Sequence, residues 1–79
     1  MGKEKFSVYV HTFPNGKRYV GTTSQNPLRR WNHGKGYAHQ TRMRKAIQEF
    51  GWENVQSVVI AVNLSAEQAY ELEMELISE

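Results

Sequence analysis

Two short strand-like segments joined by a tight turn constrain the fold of this chain more than any other feature. In residues 6–11, apolar residues alternate with polar or amphipathic ones, which is the period-two pattern of a β-strand. Residues 14–17 read Pro-Asn-Gly-Lys, and Asn-Gly is the strongest short signal for a hairpin because both positions accept positive φ. Residues 18–22 predict the return strand. One face of the hairpin is therefore expected to carry Tyr9 and Tyr19 close together.

The middle of the chain has the period of α-helices. Asn26 followed by Pro27 is typical of a helix cap and first turn, and predicts a short helix that ends near residues 34–36. Residues 41–50 predict a longer helix, because apolar side chains recur at i, i+3, i+4 and i+7 and Gly51 can end it.

A third strand and a last helix complete the pattern. Residues 55–62 are rich in β-branched side chains and predict a mostly buried strand. Ser65, with Gln68 three residues later, forms a capping-box pattern that opens the last helix. The sequence thus predicts a single domain, residues 1–79, of the α+β class, in which three helices flank a small three-stranded antiparallel sheet.

The composition excludes several kinds of protein. The 79 residues include no cysteine, which rules out disulfides and thiolate metal sites, and the three histidines lack the close pairing of common zinc sites. No segment reaches membrane-spanning length, and the first residues lack the apolar region of a signal peptide. We therefore expect a cytoplasmic protein without a membrane partner.

Charge is segregated along the chain. All ten Lys and Arg residues lie within the first 45 residues together with one acid, whereas seven glutamates follow from residue 49 onward without a base. A basic half of this kind favours a polyanionic partner such as nucleic acid. Small domains also segregate their charges without such a partner, so charge alone leaves the function open.

Glu73 departs from the pattern of the last helix. At about 100° per residue, the other glutamates fall opposite the apolar residues, whereas Glu73 lies among the latter. An unpaired buried carboxylate costs on the order of several kcal/mol, so a partner is expected. The partner is either structural, an arginine or backbone donor, or a metal such as magnesium, which often takes one or two protein carboxylates. The apolar arc around it consists of Ala66, Ala69, Tyr70, Leu72, Met74, Leu76 and Ile77.

Four short motifs occur in order along these elements. Ser7-Val8-Tyr9 lies on the first strand, Tyr19-Val20-Gly21 on the second, Arg30-Trp31 on the short helix and Glu73 on the last helix. With them the chain resembles the GIY-YIG nuclease family, whose Gly-Ile-Tyr and Tyr-Ile-Gly motifs, helical arginine and final acid they match. Ser7 replaces the first glycine. Each motif alone is weak evidence, but four in order over residues 6–77 are specific.

The resemblance implies a DNA endonuclease that uses magnesium or manganese. Tyr9 would act as general base or orient the attacking water, and Tyr19 would hydrogen-bond in the same site. Arg30 would stabilise charge developing on the phosphate. Glu73 would bind the metal, which stabilises the leaving 3′ oxygen. His33, three residues after Arg30, would share its helix face and relay a proton, or else be a surface histidine at a helix end.

A nuclease of this kind also needs contacts to the DNA backbone and a means of choosing its target. No sequence-specific reader is recognisable, so a further DNA-recognition domain or a dimer partner would supply target choice. Family members usually continue past the acidic helix, so the resemblance implies an excised domain lacking its C-terminal segment, or a minimal variant. Gly36-Tyr37 and the stretch at residues 46–54 look like the phage-type branch of the family. The predicted phosphate contacts are Lys17, Arg29, Lys35, Arg42, Arg44 and Lys45.

Two other functions are compatible with the same residues. A catalytically inactive nucleic-acid-binding module of this fold would bind DNA in a salt-sensitive way without cleaving it, and a protein-interaction domain would do neither. Trp31 and Trp52 are expected to anchor the core rather than stack on bases. His11 and His39 are assigned to structure or to phosphate contact.

Overall fold

The fold is α+β, with β1 at the centre of its sheet. The computed structural model describes residues 5–77 of the chain. Its elements are β1 (Phe6–Thr12), β2 (Arg18–Thr23), α1 (Pro27–Trp31), α2 (Thr41–Phe50), β3 (Gln56–Leu64) and α3 (Ala66–Ile77), with 3₁₀ turns at Asn32–Tyr37 and Trp52–Asn54. The strands pair antiparallel in the order β2-β1-β3. The predicted class, three helices around a three-stranded antiparallel sheet, is confirmed.

The turn between β1 and β2 has three residues rather than two. The Gly16 amide donates to the Phe13 carbonyl at 2.8 Å, and the Phe13 amide donates to the Lys17 carbonyl at 2.9 Å. Within this turn only Gly16 has positive φ, +87°, so a type I turn is followed by one left-handed residue. The predicted hairpin is confirmed, but the argument that both turn residues adopt positive φ is wrong for Asn15. Asn15 instead accepts a hydrogen bond from the Lys17 amide.

The main core lies against one face of β1. Its buried members are Tyr9, Phe13, Trp31, Tyr37 and Met43. Trp52 packs against this cluster, so both tryptophans contribute to the core as predicted. Val8 and Val10, which alternate with Tyr9, are buried on the opposite face. The central strand is therefore covered on both sides.

The second helix follows its predicted bounds. Within α2, Met43 is buried, and the other apolar residues of the same stripe pack against the core. Gly51 has a φ of +85°, and its amide donates to the Ile47 carbonyl at 2.7 Å, which ends the helix.

The third strand differs from its prediction. β3 is an edge strand, and Val58, Ile60 and Val62 remain 54%, 45% and 53% exposed. The expectation of a mostly buried strand is therefore wrong. A run of β-branched residues predicts extended backbone, but does not determine how much of the strand its neighbours cover.

The last helix begins with the predicted capping box. The Ser65 amide donates to Oε1 of Gln68 at 3.0 Å, and the Gln68 amide donates to Oγ of Ser65 at 3.1 Å. α3 packs against β1 and β2 through a face that includes the buried Ala69. Its predicted apolar arc is only partly covered, since the exposed members include Tyr70, Met74 and Ile77. Within residues 5–77, no helix has the length and apolar character needed to cross a membrane.

Candidate active site

The hairpin places Tyr9 directly against a glycine of the neighbouring strand. Tyr9 is opposite Gly21 in the β1–β2 register. A Cβ on Gly21 would lie 2.7 Å from Cε1 of Tyr9 and 2.8 Å from its hydroxyl oxygen, closer than carbon atoms approach in folded proteins. Tyr9 is also 1% exposed, so its ring has little room to move away. The glycine of the second motif thus provides the space that the tyrosine of the first motif occupies.

Tyr19 lies on the same face of the hairpin, diagonal to Tyr9. It is opposite His11 in the register, and the two rings stack with their centroids 6.1 Å apart. Its side chain is half-buried, and its hydroxyl donates to Oε1 of Gln40 at 3.4 Å. The prediction that the two motif tyrosines share a face is confirmed. Of the two, Tyr19 is the one that solvent reaches more easily.

Arg30 is held by the turn that follows its helix. Its Nη1 donates to the carbonyl of Gly36 at 2.7 Å, and its guanidinium carbon lies 4.7 Å from the centre of the Tyr37 ring, within cation–π range. A Cβ on Gly36 would collide with the Arg30 carbonyl oxygen. Both partners of the guanidinium are neutral, and within residues 5–77 it forms no ion pair.

Glu73 is half-buried on α3 rather than fully buried. Among residues 5–77 its carboxylate makes no hydrogen bond and no ion pair, so the arginine or backbone partner that a structural role would supply is not observed there. Its charge acts on Tyr19. Burial raises the pKa of Tyr19 most, Tyr9 and Glu73 raise it further, and Arg30 opposes them.

His33 does not lie where the helical spacing placed it. α1 ends at Trp31, and Asn32 and His33 have left-handed φ values of +46° and +56°. His33 is exposed, in the 3₁₀ turn. The expectation that His33 shares a helix face with Arg30 is wrong, because the chain leaves helical geometry between the two residues.

Two fully buried polar side chains lie next to the site: His11, which the sequence reasoning assigned to structure or to phosphate contact, and Tyr37, which it did not select. His11 and Tyr37 are both 0% exposed. His11 Nε2 and the Tyr37 hydroxyl are 2.7 Å apart, and His11 Nδ1 and Oγ of Ser57 are 2.8 Å apart. The Tyr37 hydroxyl donates to the Tyr9 hydroxyl at 3.4 Å. A chain of hydrogen bonds therefore runs from β3 through the core to Tyr9.

Burial determines the ionisation states of His11 and Tyr37 in this series of hydrogen bonds. Burial, together with a smaller effect of the positive charge of Arg30, lowers the pKa of His11 from 6.5 to about 4, so the imidazole is neutral at physiological pH. Burial raises the pKa of Tyr37 well above its usual range, and hydrogen bonding to Tyr9 adds to the effect. A signal for His11 was present in the sequence: the period-two pattern already placed it on the face of Tyr9.

A groove of about 690 Å³ lies between the hairpin and α2, beside Tyr19. Three of the predicted phosphate contacts, Lys17, Arg42 and Lys45, line it, and so does Arg18, which the sequence reasoning did not select. Glu49 also contributes to the lining and offsets part of this charge. The other three candidates, which are exposed but do not line this groove, are Arg29, Lys35 and Arg44.

Residues 5–77 contain no group of three or more His, Cys, Asp or Glu side chains that could enclose a metal ion. Among the four motif residues, Tyr9, Tyr19, Arg30 and Glu73, the last is the one that carries a carboxylate. This donor set is poor for zinc, which is usually held by three or four protein ligands. It is compatible with magnesium, which keeps several waters and often takes one or two carboxylates together with phosphate oxygens.

Comparison with known families agrees with the motifs. The family model for the GIY-YIG catalytic domain matches residues 5–79. Searches of curated proteins and of solved structures gave no significant match. The family match includes both motif tyrosines, Arg30 and Glu73. The chain therefore belongs to the GIY-YIG family of catalytic domains, which are nucleases.

Proposed function

We propose that this domain is a magnesium-dependent DNA endonuclease that hydrolyses phosphodiester bonds with Tyr9, Tyr19, Arg30 and Glu73. One observation carries the proposal: Tyr37 lies against Tyr9, Tyr19 and the guanidinium of Arg30, so three of the motif residues meet around one ring. The helix that carries Glu73 packs against both strands of the hairpin, and the charges of Glu73 and Arg30 both act on Tyr19. A purely structural tyrosine pair would need neither a guanidinium that lacks a counter-ion among residues 5–77 nor a carboxylate that lacks a hydrogen-bond partner there.

Each residue has a task that suits its chemistry. Tyr9 takes a proton from the attacking water or orients that water, and Tyr19 hydrogen-bonds within the site. The planar guanidinium of Arg30, held by Gly36 and Tyr37, stabilises charge that develops on the phosphate. The two neutral partners leave that charge available for the substrate.

Glu73 is the residue that would hold magnesium, or manganese in its place. Its carboxylate has no competing protein partner among residues 5–77, and the remaining ligands would be water and phosphate oxygens. Bound there, the metal would screen the scissile phosphate and stabilise the leaving 3′ oxygen.

The basic groove beside Tyr19 is the proposed path of the DNA backbone. Lys17, Arg18, Arg42 and Lys45 would contact successive phosphates, which position DNA without reading its sequence. Arg29, Lys35 and Arg44 remain candidate contacts outside the groove. Target choice would come from an additional recognition domain or a second copy of the chain.

The test is nicking of supercoiled plasmid, with magnesium and with EDTA. Arg30→Lys keeps the positive charge but loses the planar guanidinium, which can donate two parallel hydrogen bonds to a phosphate. This variant should reduce the cleavage rate by about 10²- to 10³-fold. Glu73→Ala should abolish metal-dependent cleavage, whereas Glu71→Ala, at an exposed position of the same helix, should cleave like the wild type. If all four proteins nick equally, the activity comes from a contaminant.

The same experiment separates the alternative function. A catalytically inactive module would bind DNA in gel-shift assays and lose that binding with salt, yet cleave with neither magnesium nor manganese. A wild-type protein that binds and never nicks would replace the endonuclease proposal with this one.

A further inference from the structure

The proposed catalytic set leaves two fully buried polar side chains without a role. His11 and Tyr37 are connected to each other at 2.7 Å, and they join Ser57 at one end to Tyr9 at the other. Burying an imidazole and a phenol in a domain of this size is costly unless each polar atom is satisfied. Aliphatic residues would fill the same volume more cheaply, so the chain of hydrogen bonds calls for a functional explanation.

The direction of each hydrogen bond in this series follows from the groups that it joins. The Tyr37 hydroxyl donates to the Tyr9 oxygen. With that proton directed at Tyr9, Tyr37 accepts from His11, and we assign the Nε2–H tautomer to the neutral imidazole. The unprotonated Nδ1 then accepts from the hydroxyl of Ser57, 2.8 Å away. Every donor in the series Ser57, His11, Tyr37 is thereby directed toward Tyr9.

We infer that Ser57, His11 and Tyr37 are positioning residues that hold a hydrogen-bond donor on the Tyr9 oxygen, so that Tyr9 can carry negative charge and act as the base. The inference rests on the proposed function and deepens it. The distance of 3.4 Å between the two phenol oxygens is long, as hydrogen bonds in substrate-free sites often are. A donor directed at an oxygen favours its anionic form.

The step can be written with its protons in balance. Tyr9 first releases its hydroxyl proton to solvent, and Tyr37 donates to the resulting phenolate. The phenolate then takes a proton from the attacking water while the water oxygen bonds to phosphorus. The bond from phosphorus to O3′ breaks, and O3′ leaves with its electron pair and takes a proton from solvent. Tyr37 keeps its proton throughout, which agrees with its raised pKa.

The groups around His11 support a neutral donor rather than an acid. Its ring contacts Tyr9 from its own strand, Tyr19 from β2 and Tyr37 from the 3₁₀ turn, and Trp31 and Trp52 close the remaining sides. Arg30 is the charged group that acts on it. No carboxylate among residues 5–77 pairs with the ring, so an imidazolium would be unfavourable there.

The experiment measures plasmid cleavage as a function of pH. In a plot of log kcat against pH, the limb that rises with pH should lie about one to two pH units higher in Tyr37→Phe and in His11→Leu than in the wild type. The rate at neutral pH should accordingly fall about 10- to 100-fold. His11→Gln retains an N–H donor and should recover much of the loss. The matched control is Tyr70→Phe, at an exposed tyrosine outside the site, which should leave the limb where it is.

Two further measurements keep the inference falsifiable. Ser57→Ala leaves both rings in place and should move the limb to higher pH than in the wild type, which provides a test even if Tyr37→Phe does not fold. Ionisation of Tyr9 itself can be followed by tyrosinate absorbance, as the difference between each protein and its Tyr9→Phe counterpart. It should occur at higher pH in Tyr37→Phe than in the wild type.

The outcomes distinguish this inference from the proposed function. If wild type cleaves and depends on Arg30 and Glu73, but the limb is unmoved in both Tyr37→Phe and His11→Leu, the buried chain serves only stability. If the wild type does not cleave, the proposed function fails. The absorbance titration then still tests whether the Tyr37 hydroxyl favours the ionised form of Tyr9. Ionisation of Tyr9 at the same pH with and without the Tyr37 hydroxyl would overturn the inference.

Discussion

Tyr9 and Gly21 form one unit of the site, because the tyrosine ring occupies the space that a side chain at Gly21 would need. Gly21→Ala puts a methyl group 2.7 Å from a buried ring that cannot move freely. We expect a loss of about 1–3 kcal/mol in the free energy of unfolding, as for other overpacked sites, together with displacement of Tyr9 and loss of cleavage. Guanidinium chloride unfolding and plasmid nicking measure the two effects.

Gly16→Ala is the matched control. In the part of the chain that the structure describes, nothing lies within 4 Å of its added methyl group, but Gly16 has a φ of +87°, so backbone strain of about 1 kcal/mol is expected at the turn. This variant should lose stability and keep its activity. Equal loss of activity in the two variants at matched stability would show that Gly21 matters only for folding.

Gly36 fixes the position of Arg30 in a comparable way. A Cβ at Gly36 would collide with the backbone carbonyl of Arg30, and a backbone atom cannot swing aside as a side chain can. Gly36→Ala should therefore open the turn at Asn32–Tyr37 and break the hydrogen bond from Arg30 to residue 36. We expect loss of cleavage and changes in amide chemical shifts centred on residues 30–37. Unchanged shifts at Arg30 would contradict this account.

The buried His11 predicts a specific pH dependence of stability. Its pKa is 6.5 in the unfolded chain and about 4 in the folded one, so between these values the unfolded chain binds a proton that the folded chain does not. Stability should therefore fall as pH drops from 6.5 to 4, by about 3 kcal/mol from this group, and depend little on it outside that window. Urea unfolding at several pH values measures the slope, which should flatten in His11→Gln.

The basic groove predicts how DNA binding responds to salt. Lys17→Ala, Arg42→Ala and Lys45→Ala should each weaken binding for all sequences alike and reduce the slope of log K against log salt by about one. Arg44→Ala removes a similar charge from the same helix but outside the groove, and should have a smaller effect. Fluorescence anisotropy with a short labelled duplex at several salt concentrations makes the comparison.

Local patterns predicted most of the backbone. The alternation of residues 6–11, the capping box at Ser65 and the apolar stripe of residues 41–50 each depend on neighbours within a few positions. They therefore identified strands and helices with bounds close to those observed. The covered fraction of β3 and α3 was predicted wrongly, because exposure depends on which distant elements pack against them. No period in the sequence encodes that information.

In the candidate site, too, some features follow from local patterns and others depend on the packing of distant elements. Tyr9 and Tyr19 share a face because hairpin geometry requires it. Helical periodicity singled out Glu73, and the family resemblance assigned roles to Arg30 and Glu73. The helix ends two residues before His33, through left-handed backbone at Asn32 and His33, so the alternative of an exposed histidine beyond the helix agrees with the structure. Asn32 was itself a C-cap signal, but the sequence reasoning extended the helix to the glycines that follow. The pairing of His11 with Tyr37 joins residues 26 positions apart, so it depended on the folded structure.

The neutral surroundings of Arg30 have a consequence for the stability of the protein in the presence of ligands. Its guanidinium is partly removed from water, yet among residues 5–77 it is accompanied by a carbonyl and an aromatic ring in place of a counter-ion. An anion arriving at that point supplies the missing charge to the native form and not to the denatured one. The melting temperature should accordingly climb with added phosphate, and further with a DNA duplex, as mass action requires.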